Sequence, residues 1–173
     1  LEMRERVGAL LEEPAEGLWL GTFRAICARM LRRHAEYVGL TSGFNILDTD
    51  DQLRLLKQIM EPFRLDTKRW PPNQLMGIFQ RWKDRGLTPD RVTPAEDTDF
   101  ANGQALAIYR GYQQRLRELN TCDFGDLMLH MVEILRSQPN VLAQYHRTFR
   151  YLLGDEYQDT HPIPYLWLRL LAK

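Results

Sequence analysis

Arg150 to Thr160 reads RYLLGDEYQDT: three apolar side chains run into two adjacent carboxylates, Asp155 and Glu156, with a third, Asp159, three residues on. An apolar strand that ends in Asp-Glu has a definite chemical use. Carboxylates at the C-terminal edge of a parallel sheet face the crevice where such folds bind ligands. An aspartate there can hold Mg²⁺ on the phosphates of a nucleotide, usually through water. A neighbouring glutamate can take a proton from an attacking water. The competing reading is a solvated turn after an edge strand. On the first reading the chain carries part of an α/β sheet and needs a phosphate-binding element elsewhere.

Working outward, the pattern becomes helical almost at once. GLWLGTF (17–23) is short, apolar and bounded by glycine, which predicts a buried strand ending at Thr22. From Phe23 the period changes, so that Phe23, Ile26, Cys27, Met30, Leu31 and Val38 share a helical face, with Gly39 as its left-handed terminator. TDDQ (49–52) fits a capping box, and Leu53, Leu55, Leu56, Ile59 and Met60 continue a helix that Pro62 ends. WPPNQLMGIFQRWKDRG places prolines at a helix start and Gly86 just past its end. After a polar loop from Leu87 to Thr98, a long helix is expected from about Phe100 to Leu119. Asp123 caps another helix, and Pro139 starts one that leads into the strand before Asp155. The expected topology is a helical insert between two short strands of one sheet.

Composition excludes several classes. The 173 residues carry 23 Lys and Arg against 23 Asp and Glu, so the overall charge points to no particular partner. Cys27 and Cys122 form no CxxC motif and read as small buried residues of a reduced, cytoplasmic protein. No apolar run approaches the ~20 residues of a membrane span. Both ends, LEMRERVGALLEE and YLWLRLLAK, stop inside helical patterns, which suggests a segment of a longer protein. Asp48, Asp50 and Asp51 read better as capping residues than as a metal site. The four histidines (34, 130, 146 and 161) have no ligand spacing among themselves.

The longer motif D-E-x-Q-D-T is far more restrictive than Asp-Glu alone. RYLLGDEYQDT resembles motif II, the Walker B element, of UvrD/PcrA/Rep-type superfamily 1 DNA helicases. LWLGTFRAICARMLRRHAEYVGL is similar to their motif Ib, usually G-T-F-H-S followed by a basic helix. FNILDTDDQLRLLKQIM, WKDRGLTPD and DFGDLML resemble linking segments in the same order, so the likeness covers essentially the whole chain. It implies a mainly α fold: a helical 1B subdomain (24–147) inserted between two strands of a RecA-like α/β motor domain of the P-loop NTPase class (1–23 and 148–173).

The resemblance also implies an ATP- and Mg²⁺-dependent enzyme that unwinds DNA 3′ to 5′ in repair or replication. Asp155 would coordinate Mg²⁺, Glu156 would activate water, and Gln158 would sense the γ-phosphate. Thr22, Phe23 and Arg24 would touch the tracking single strand. Four departures stand out: Arg24 and Ala25 replace the usual His-Ser, Gly154 replaces a branched residue before Asp155, and THPIP replaces T-N-x-x-Q. These leave room for a second reading, a non-catalytic DNA-binding or protein-docking module.

The required phosphate-binding loop, GxxxxGK followed by Ser or Thr, is missing from these residues. None of the four lysines (57, 68, 83 and 173) follows a glycine, so the segment alone is expected to be inactive. DNA contacts are sought among the basic residues instead. Gly17 to Ala35 contains no acidic residue but holds Arg24, Arg29, Arg32 and Arg33, a face suited to phosphate contacts. The alternative is a solvated helix face with Arg33 pairing to Glu36. In QRWKDRG, Lys83 is the candidate for duplex contact ahead of the fork, and Trp82 reads as core.

Overall fold

The computed structural model describes residues 15–94, 96 and 99–153, and for 15–23 and 147–153 it describes the backbone alone. The elements run α1 (Ala15–His34), β1 (Asn45–Ile46), α2 (Thr49–Met60), α3 (Pro72–Asp84), α4 (Ala105–Glu118), β2 (Thr121–Cys122), α5 (Phe124–Ser137) and α6 (Pro139–Leu153). The expectation of a mainly α chain holds. Neither expected strand does: residues 17–23 belong to α1, and Tyr151–Leu153 belong to α6. A short apolar run suits a buried strand or a buried turn of helix equally well, and both runs here are continuous with helices. The expected boundaries after 23 and before 148 therefore fall inside α1 and α6.

Local signals set most other ends. Asp48 caps α2, its carboxylate accepting from the Asp51 N–H at 2.8 Å, one residue before the Thr49 expected in that role. Gly39, at φ 77, closes the turn after α1 in the left-handed conformation that glycine adopts without a Cβ clash. Pro71 and Pro72 open α3, and Pro139 opens α6. The helix expected from Phe100 is broken, because Ala101 and Asn102 turn left-handed at φ 59 and 56, and α4 begins at Ala105.

The buried apolar residues form two separate cores. Cys27, Met30, Leu31 and Phe44 pack with Cys122, Met131, Leu135 and Val141 in a terminal lobe built from α1, α5 and α6. Leu56, Leu75, Phe79, Trp82, Ile108 and Tyr109 pack in an inserted lobe built from α2, α3 and α4. Phe79 sits in the middle of that second core, its ring 4.8 Å from Tyr109 and 5.8 Å from Trp82, centre to centre. Burying each such side chain stabilises the lobe by roughly 1.5–3 kcal/mol.

The chain leaves the terminal lobe along β1 and returns along β2, and these lie side by side in parallel, Asn45 opposite Thr121 and Ile46 opposite Cys122. The Leu47 N–H donates to the Cys122 carbonyl at 2.8 Å. Asn120, left-handed at φ 52, ties the crossing to the loop after α1: its Oδ1 accepts from the Thr41 N–H at 2.9 Å and its Nδ2 donates to Thr41 Oγ1 at 2.7 Å.

Candidate nucleic-acid interface

The basic residues of α1 divide by what meets them. Arg29 and Arg33 are exposed and four residues apart, hence on one helix face, and neither has a partner among the described residues. The Arg33–Glu36 pair of the alternative reading is not found among the described residues. Arg32 is engaged within the fold. Its Nη1 donates to the carbonyls of Ser42 and Phe44 at 2.8 and 2.9 Å, and its guanidinium lies 4.2 Å from the centre of the Phe44 ring. That side chain fastens the loop after α1 to the helix. Arg24 is partly buried, with a buried Nε that has no acceptor among the described residues. Burial pushes the nearby Asp84 carboxyl up, and the Arg24 charge partly offsets this.

Beside these, His34 faces inward. Its Nε2 lies 3.1 Å from the Tyr145 hydroxyl, with the two rings edge to face. Burial, together with the Arg33 charge, holds its pKa below the ordinary value, so it adds no charge to this face at neutral pH. The backbone at Thr22 and Phe23 is helical. Asp155, Glu156 and Gln158 lie outside the described residues.

Lys83 is not available to DNA, contrary to the sequence expectation. Its side chain is 0% exposed, with Nζ 2.6 Å from Asp123 Oδ2 and 3.0 Å from Asp126 Oδ1. The two acids cap α5 reciprocally, each carboxylate accepting the other's backbone N–H. Tyr112 and Gln80 donate to Asp123 Oδ2 at 3.0 and 3.2 Å, and Gln113 donates to Asp126 Oδ1 at 3.0 Å. Two carboxylates against one ammonium leave a negative excess, which the positive end of the α5 dipole offsets. Burial alone would neutralise these groups. For Lys83 the two carboxylates outweigh it and raise the pKa. For Asp126, burial pushes the carboxyl up but Lys83, His130 and the Gln113 hydrogen bond bring it down to about 2.

The same cluster is the one described place with a metal-like ligand set. Cys122, Asp126 and His130 bring one ligand atom each within 4.8 Å of one another, at a spacing of four and four residues that the sequence reading passed over. The donor set does not fit a cation. The Lys83 ammonium already holds Asp126, and burial, with the two carboxylates adding to it, pushes the Cys122 thiol well above its usual range. A groove of about 640 Å³ next to it, lined by Tyr37, Arg110, Gln113, Arg117 and Glu133, is unlike the α1 face too. Arg110 pairs with Asp90 at 2.9 Å, and Glu133 takes Arg91 at 2.6 Å and Arg136 at 3.1 Å. Exposed basic side chains without an ion-pair partner among the described residues are Arg29 and Arg33 on α1, and also Lys57, Arg64, Lys68, Arg81 and Arg117 elsewhere, so α1 is one of several such surfaces.

Comparison with known proteins identifies the family. The sequence model of the UvrD/REP helicase N-terminal domain matches residues 1–173. A probable DNA helicase II homolog of Rickettsia felis is 40% identical over 173 residues, which cover 99% of this chain and 26% of that protein. DNA helicase II of Escherichia coli is 39% identical, over 99% of this chain and 24% of its own length. ATP-dependent DNA helicase PcrA of Leuconostoc citreum is 39% identical, over 99% of this chain and 23% of its own length. The chain thus spans about a quarter of the length of these curated relatives. It belongs to the UvrD/REP helicase N-terminal domain family.

Proposed function

We propose that this chain is part of an ATP-dependent 3′-to-5′ DNA helicase acting in repair or replication in the cytoplasm. Residues 24–147 serve as the helical 1B subdomain and the flanks belong to a RecA-like motor. Asp155 holds Mg²⁺ through water, Glu156 takes the proton of the attacking water, and Gln158 senses the γ-phosphate. Thr22, Phe23, Arg24, Arg29 and Arg33 face single-stranded DNA, and Arg32 serves that face indirectly by holding the loop behind it. The observation that carries this is order: the GTF of 21–23, the basic helix and D-E-x-Q-D-T at 155–160 follow one another as in the family. The 173 residues without a Walker A loop have no ATPase of their own.

The decisive experiment uses the full-length protein. Glu156→Gln leaves Mg·ATP binding nearly intact and cuts turnover by ~10²–10⁴. Asp155→Asn weakens the hold on the metal instead. Equal, mild losses from both would reduce the motif to a structural turn. Gly154 and Pro164, which depart from the family pattern, favour the second reading, a non-catalytic module. DNA binding with no ATPase in the full-length protein would select it.

A further inference from the structure

The seam between the two lobes is polar: besides the cluster at Lys83, Arg91 pairs with Glu133 at 2.6 Å and Arg136 donates to the Gly86 carbonyl at 3.1 Å across it. The buried apolar side chains divide into two clusters, one per lobe. Between them α3 and α4 meet the start of α5 through Lys83, Gln80, Tyr112 and Gln113 on one side and Asp123 and Asp126 on the other. Gln113 Oε1 is buried there without a partner among the described residues. Separating a core exposes apolar surface that water cannot compensate. Separating this seam returns two carboxylates, an ammonium and an orphan carbonyl to water, which offsets much of the lost pairing. The covalent crossings are the two-residue strands β1 and β2, side by side, which form a narrow hinge.

We propose that the Lys83–Asp123–Asp126 cluster is a latch: the inserted lobe, residues 47–119, parts from the terminal lobe at this seam while both cores stay packed. Gly125 lies in this seam, against the ends of Gln80 and Lys83. A Cβ there would run into Gln80 Oε1 and lie 3.1 Å from Lys83 Cδ. An alanine at 125 therefore acts as a wedge placed in the seam and in neither core. The proposal stands on the packing alone and is independent of the helicase reading.

The two cysteines supply the test. Both thiols belong to the terminal core, but Cys122 lies at its edge, on β2, which α4 packs against, with its sulfur within 4.8 Å of the Asp126 carboxylate of the seam, so parting the seam uncovers Cys122 and leaves Cys27 enclosed. N-ethylmaleimide labelling of the folded chain, read by peptide mass spectrometry, reports each thiol separately. Cys122 should label faster than Cys27 in the parent chain. Gly125→Ala should accelerate Cys122 roughly ten- to a hundredfold, the equivalent of ordinary overpacking, and leave Cys27 unchanged. Adding Gln80→Ala should bring the Cys122 rate back towards the parent. Equal rates for the two thiols, or parallel acceleration of both, would overturn the latch. If Gly125→Ala does not fold, the parent chain in sub-denaturing urea decides. A shallower urea slope for Cys122 than for Cys27 supports separate opening, and identical slopes refute it.

Discussion

Two basic stretches look alike on paper and differ in space. The α1 arginines and the QRWKDRG segment of α3 both offer cations near aromatic residues, and both read as phosphate contacts. In the fold, Arg29 and Arg33 stay in water, whereas Lys83 is enclosed by two carboxylates from a helix forty residues further on. Whether a cation is free to bind is decided by which acids the fold brings to it. The amphipathic pattern of α3 did contain a hint. Lys83 follows Trp82 at the end of the face formed by Leu75, Met76, Ile78 and Phe79, all buried.

That contrast can be broken from the large end first. Lys83→Met leaves Asp123 and Asp126 buried without their cation, and should cost about 3–5 kcal/mol in urea unfolding followed by circular dichroism. A loss under 1 kcal/mol would mean the cluster is hydrated. Acid should reach the same cluster next. The Asp126 carboxyl sits at about 2 in the fold against 3.8 ordinarily, so the unfolded chain binds that proton first as pH falls. Its contribution, about 2 kcal/mol, is fully present above pH ~4 and disappears towards pH ~2. His130 and His34, both depressed by burial, bind protons in the unfolded chain before the folded one, so a gentler decline should begin below about pH 6.5. Urea midpoints that stay flat from pH 7 to 3 would contradict both assignments.

Arg32→Ala belongs between the two regions. It should lower stability by about 1–2 kcal/mol through the freed Ser42 and Phe44 carbonyls. A DNA defect without that loss would return Arg32 to the binding face. The smallest stability effect should come from Arg29→Glu with Arg33→Glu, within about 0.5 kcal/mol of the parent. The same pair should nonetheless weaken DNA binding, flattening its salt dependence by about 0.7 per lost single-strand contact or 0.9 per duplex contact. Fluorescence anisotropy against salt measures this. An unchanged slope would leave the α1 face merely solvated.

Legibility followed the range of the interaction. The Asp123 cap, the proline starts of α3 and α6 and the burial of Cys27, Cys122 and Trp82 are set by near neighbours or by side-chain type, and all could be read directly. GLWLGTF and RYLLG could not, because a strand needs a ladder partner that the run itself does not reveal. β1 and β2 went unseen for the converse reason: two residues make no pattern, and their pairing joins positions far apart in the chain. The D-E-x-Q-D-T motif was legible as chemistry, and its residues lie outside the described ones. Lys83 was misread because its carboxylates come from another element.

The side-by-side crossing of β1 and β2 also bears on how such a chain can be cut and rejoined. Because the two strands are parallel, the lobe departs beyond the end of β1 and re-enters before the start of β2, so its two junctions lie on neighbouring strands but at opposite ends of the pair. Excising the lobe would therefore need a crossover linker from Ile46 to Thr121 rather than a tight turn, and circularising it would need a linker from Asn120 to Leu47 that spans the length of the strand pair. Exchange of the lobe with a relative's insert therefore needs compatible seam residues at 80, 83, 86, 91, 112 and 113 on the insert, facing 123, 126, 133 and 136 on α5.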